Sequence, residues 1–120
     1  MTVQNAIDEA NRLRPNDFTQ AQKVRWLNEL DGVIFREVIL THEGAPLCDY
    51  SGHGELSEEL LVPFPDEGLY PLYLVMQYDL HNGETGKYHN SASAFETAYQ
   101  TYANAYNRAH YPLCDGRLKF

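Results

Sequence analysis

A chain of 120 residues and 13.8 kDa holds one domain with one modest core, too small for many independent sites. Nine Lys and Arg stand against 17 Asp and Glu, a formal charge of -8, which argues against a surface that grips nucleic-acid phosphates. No apolar run is long enough to cross a bilayer, and MTVQNAIDEANRLR lacks the basic-then-apolar form of a secretory signal, so the expected origin is cytoplasmic with no membrane partner.

Thr2 can cap a first helix whose apolar positions Val3, Ile7, Ala10 and Leu13 share one side, and Pro15 stops it. Thr19 with Gln22 reads as a capping box that opens a second helix from about Gln20 to Leu40. Its apolar surface widens towards its end, as expected of a central core helix. Trp26 lies off the line of Val24, Leu27 and Ile34, so it serves either a wider core face or another element. The short connection between the two helices predicts antiparallel packing.

Residues 41–65, THEGAPLCDYSGHGELSEELLVPFP, carry three Gly and three Pro and no helical period. A connection of this length is either functional or disordered more often than it is a plain linker. Leu60, Leu61, Val62 and Phe64 predict that its second half is tied down after a helical turn from Ser57. Two readings stay open: a loop folded over its own core, or an arm that reaches onto another subunit. No Lys or Arg occurs between Arg36 and Lys87, whereas Glu43, Asp49, Glu55, Glu58 and Glu59 all fall there, a candidate acidic surface.

Asp66 or Glu67 can start a third helix with Pro71 in its first turn and a buried line of Leu69, Tyr73, Met76 and Leu80, widened by Leu72 and Val75. His81-Asn82-Gly83 ends or kinks it. From Gly83 to Ala109 runs the longest periodicity of the chain: Tyr88, Ala92, Phe95, Tyr99, Tyr102 and Tyr106 recur at spacings of four and three, on one stripe of a single continuous helix. Tyrosine suits both a core edge and a subunit interface. The whole reads as all-α, a small antiparallel bundle of about four helices with a long, partly irregular loop between helices two and three. Residues 1–110 form the helical domain and 111–120 a tail.

Catalytic signatures are scarce. His42, Cys48, Asp49 and His53 have no zinc-knuckle spacing, Glu58 and Glu59 are adjacent and point apart, and Cys48 sits in the acidic half where a thiolate is disfavoured. His81 and His89 flank the Asn-Gly turn and read as helix-end histidines. Cys48 and Cys114 leave a thiol pair or a disulfide open, thiols being the more frequent state in a chain without a signal. The expectation is a non-enzyme with no cofactor and no metal.

The strings VQNAIDEANRLRPN, KVRWLNELDGVIFREVI, ELLVPFPDEGLYPLYLVMQYDLHNGE and KYHNSASAFETAYQTYANAYNR, in that order, resemble the small helical head-tail connector, or head completion, proteins of tailed bacteriophages and prophages. The resemblance runs from about Val3 to Arg108. It implies a structural protein of the virion neck, assembled from the host cytoplasm, that forms a ring, twelve-fold in the virion. Its partners would be the portal protein above, later neck or tail proteins below, and its own copies at either side. DNA would pass through the channel without sequence-specific binding. Trp26, Leu60, Leu61, Val62, Phe64, Tyr88, Phe95, Tyr99, Tyr102 and Tyr106 are then the candidate packing or subunit-interface residues, and the acidic loop the surface that faces DNA without holding it. The rival reading is a small helical protein-binding or regulatory module with no role in a virion.

Overall fold

A computed structural model describes residues 1–39 and 54–109 of the chain. Among them are four α-helices: α1 (Val3–Leu13), α2 (Gln20–Ile34), α3 (Leu69–His81) and α4 (Thr85–Ala109). They form an all-α antiparallel bundle in which α3 is central, packed against α1, α2 and, along most of its length, α4.

The helix ends follow from local chemistry. The Thr2 hydroxyl accepts from the Asn5 amide at 3.1 Å, and Thr19 accepts from the Gln22 amide at 3.2 Å, so both helices begin where an oxygen satisfies an otherwise unpaired N–H. At the far end of α2 the Phe35 amide is shared between the Asp31 and Gly32 carbonyls, and the chain winds on as a wide π turn over Phe35–Ile39. A 3₁₀ turn over Asp66–Gly68 feeds α3, which places Pro71 at its third residue. Gly83, at φ +74°, makes the turn into α4, a backbone conformation that costs a side-chain-bearing residue. The α4 helix runs unbroken past Ser93, whose carbonyl accepts from the Thr97 hydroxyl at 3.0 Å.

The core joins Val3, Ala6, Ile7 and Ala10 of α1 to Leu27, Leu30 and Ile34 of α2 and to Leu69, Leu74, Val75 and Tyr78 of α3. One expectation is overturned. Of the expected buried line of α3, Leu69 is buried, as is the widening Val75, but its other members are replaced by Tyr70, Leu74 and Tyr78; Tyr73 and Met76 are half-buried, and Leu80 is 47% exposed. The rotation is set by Asp79, 1% exposed, which Arg14 and Ser91 hold inside the bundle and which carries Tyr78 inward with it.

The second half of the long connection is fixed by the N-terminus. Thr2 and Glu59 form an antiparallel bridge, Val3 donates to the Glu58 carbonyl at 3.0 Å, Gln4 to the Leu56 carbonyl at 2.9 Å, and Leu60 to the Met1 carbonyl at 3.0 Å. The expected helical turn after Ser57 is therefore a bend that ends in this bridge.

Candidate interaction surfaces

Residues 60–65 are positioned by one buried carboxylate. Asp31, fully buried on α2, accepts from the Tyr70 hydroxyl at 2.5 Å and from the Leu61 amide at 3.1 Å. The same hydroxyl accepts from the Val62 amide at 2.8 Å. Two consecutive amides of the connection thus end on a carboxylate and a phenol that are themselves paired, which satisfies all of these buried polar groups at once. Burial first, and then the charge of Asp31, push the Tyr70 phenol far above its ordinary value. Leu60 and Val62 turn into the core, Leu61 is half-buried, and Phe64 is 81% exposed.

Phe64 stands at the edge of a shallow hollow of about 420 Å³ bordered by Met1, Leu13, Pro65, Pro71 and Leu72, with Glu9 and Glu67 on its rim. Leu13 is 46% exposed there. This is the outward-facing apolar surface between the start of α3 and the end of α1. The Met1 amino group donates to Glu67 at 2.7 Å, and that bond raises the pKa of the amine above its ordinary value.

A second recess, about 370 Å³, lies between α2, α3 and α4 and is lined by Glu29, Leu30, Val33, Tyr73, Phe95, Glu96, Tyr99 and Gln100. Its aromatic wall is continuous: the Tyr73 and Phe95 rings are 5.1 Å apart and those of Phe95 and Tyr99 5.9 Å. Of the α4 stripe, Phe95 and Tyr99 line this recess, whereas Tyr88 borders a separate hollow beside Asp79, Leu80 and Gly83. Tyr102 is buried; Tyr88, Phe95, Tyr99 and Tyr106 are half-buried. Burial pushes the Tyr102 phenol up, and Tyr99, with its hydroxyl 3.5 Å from Glu37, is raised first by burial and then by that carboxylate.

Trp26 reaches another element as well as the core. Its indole is 5.3 Å from the Phe18 ring and 5.3 Å from the His81 ring, which it stacks at 25°. Beside it, Lys23 is buried with its amine 5.5 Å above the Tyr78 ring and 3.0 Å from Asn11 Oδ1; desolvation lowers its pKa. The Tyr78 hydroxyl donates to the same Asn11 oxygen at 3.1 Å. These contacts use the cation and the phenol to seal α1 onto α2 and α3.

The acidic residues divide. Glu55 and Glu59 are exposed, Glu59 lying 3.4 Å from the Met1 amine, while the Glu58 carboxylate turns back to accept from the Gly54 and Glu55 amides at 2.5 and 2.7 Å. Glu43 and Asp49 lie outside the described residues, as do His42, Cys48 and His53 of the metal candidate, Cys114 and the tail. No group of three His, Cys, Asp or Glu able to hold a metal occurs among the described residues, and no helix there is long and apolar enough to cross a membrane.

Sequence reasoning missed the buried polar residues Asp31, Asp79 and Lys23. Asp31 and Asp79 stand beside apolar residues on helices that read as core, Lys23 stands in the polar first turns of α2, and only the distant partner in the sequence explains each. Comparison with protein-family models, with curated proteins and with solved structures gives no match to this chain.

Proposed function

We propose that this chain is a structural protein of the phage neck, one subunit of a ring that joins the portal and head to the tail and extends the DNA channel. The observation that carries the reading is Phe64: a large apolar side chain, 81% exposed, displayed just after a segment anchored to Asp31, to Tyr70 and to the N-terminal bridge. An anchored, exposed aromatic suits repeated contact with a neighbouring subunit. The resemblance supplies the symmetry and the portal as the surface on which the ring closes. A net charge of -8 suits a channel through which DNA moves without being held.

The test is to mix the purified chain with portal complexes and image the product by electron microscopy. A closed ring seated on the portal supports the proposal, and a monomer that never associates with portals, heads or tail parts sinks it. Phe64→Ser refines the outcome, because this side chain contributes nothing to the core: the thermal midpoint is expected to hold while ring assembly is lost.

The alternative, a protein-binding module outside any virion, is favoured by the recess between α2, α3 and α4, which is separate from the Phe64 surface.

A further inference from the structure

The recess between α2, α3 and α4 combines two features. Its floor and one wall are apolar, from Leu30, Val33 and the Tyr73, Phe95 and Tyr99 rings, and the charged side chains that line it are both acidic. The Glu96 carboxylate makes no hydrogen bond or ion pair among the described residues. Among the described residues the Glu29 carboxylate has only Arg25 at 3.8 Å, with both side chains well exposed, an arrangement too loose and too hydrated to neutralise it. The electron-rich ring faces and the carboxylates therefore act with the same sign on whatever enters.

We propose that this recess is a docking site for a short arginine-bearing apolar segment of a partner protein, the guanidinium lying against the aromatic wall between Glu29 and Glu96 and the flanking apolar side chains covering Leu30 and Val33. Charge complementarity selects the occupant. A nucleic acid or acidic peptide meets like charge, and a purely apolar segment leaves two carboxylates facing it without compensation. Arginine fits better than lysine because its planar, weakly hydrated cation can stack on a ring and bond a carboxylate at its edge simultaneously. The site does not depend on the chain being part of a ring.

The experiment is a nuclear magnetic resonance titration of the isotopically labelled full chain with acetyl-Leu-Arg-Leu-amide. Parallel titrations use the peptide with lysine or with neutral citrulline in place of arginine, and arginine amide alone. The expected result is a set of shift changes centred on the amides of Leu30, Val33, Phe95 and Tyr99, with affinity falling from arginine to lysine to citrulline and weakening as salt is added. Glu29→Gln combined with Glu96→Gln is expected to weaken binding about fivefold, whereas Glu84→Gln, at an ion pair with Lys87 outside the recess, leaves it unchanged. Both exchanged residues are exposed, so the thermal midpoint serves as a check that the fold is intact. Shifts elsewhere on the surface, equal binding of the citrulline peptide, or an unaffected double variant would overturn the proposal. So would arginine amide binding as tightly as the peptide, since that would mark a small-molecule site.

Discussion

Tyr70→Phe removes one oxygen from the centre of the fold and tests the anchor directly. The wild-type hydroxyl donates to Asp31 at 2.5 Å and accepts from the Val62 amide at 2.8 Å, in surroundings where Tyr70 and Asp31 are fully buried. A hydrogen bond to a charged group contributes about 1.5–3 kcal/mol, and leaving a buried N–H unpaired costs about 1–3 kcal/mol. Asp31 keeps the Leu61 amide, and some of the loss is recovered by relaxation, so the expected destabilisation is about 3 kcal/mol. That is a large part of the ~5–15 kcal/mol that holds a domain together. In a domain of this size it lowers the thermal midpoint by roughly 12 °C. Urea unfolding measures the total, and amide hydrogen exchange locates it: Val62 and Leu61 should lose protection more than the amides of α4. A loss below about 1 kcal/mol, with Val62 exchange unchanged, would mean that the phenol does not hold the connection and that the bridge to the N-terminus does so alone.

Arg14→Ala should cost about 2–4 kcal/mol by urea unfolding, because it strips the cation from a carboxylate that is 1% exposed; Arg14→Lys should recover only part, as lysine cannot reproduce the two bonds at 2.9 and 3.2 Å. Gly83→Ala should cost about 1–2 kcal/mol from backbone strain alone, since nothing lies within 4 Å of the added carbon, and Gly83→Asn should cost less. Alkaline stability follows from Tyr70, Tyr78 and Tyr102, whose phenols are all raised above 10.0, chiefly by burial. Their contribution is complete below the unfolded-state value and is lost as pH rises from about 10 towards the folded-state values, at about 1.4 kcal/mol per pH unit for each phenol. The share of tyrosinate absorbance that belongs to these three of the nine tyrosines should then appear together with unfolding rather than ahead of it.

The helices were legible where one residue decides. Thr2, Pro15, Thr19 and Gly83 each fix an end through a hydroxyl, a missing N–H or a positive φ, and these are properties of the residue itself. The stripe of α4 was legible because polar residues fill its other side. The face of α3 was not: LYPLYLVMQYDLH is apolar nearly all round, so periodicity offers no direction. What turns it is Asp79, buried by Arg14 from 65 positions away and by Ser91 from the following helix. The same reason hid Asp31, whose partners Leu61 and Tyr70 stand 30 and 39 positions distant. For the candidate surfaces, LLVPFP showed that something is anchored there but not that Phe64 faces outward. The recess drew on Glu29 and Glu96, exposed residues of α2 and α4 that only the packing of both helices against α3 brings to one recess.

The ties of α1 to α3 also order events in time. Arg14 to Asp79 and Asn11 to Tyr78 span 65 and 67 positions, whereas α3 and α4 meet across the tight turn at Gly83. At a synthesis rate of roughly 5–20 residues per second, α1 waits on the order of 3–13 s before its docking face has been made. During that interval Val3, Ala6, Ile7 and Ala10 have α2 and then the 56–62 segment beside them but not α3, so a chaperone at the ribosome finds this face only partly covered.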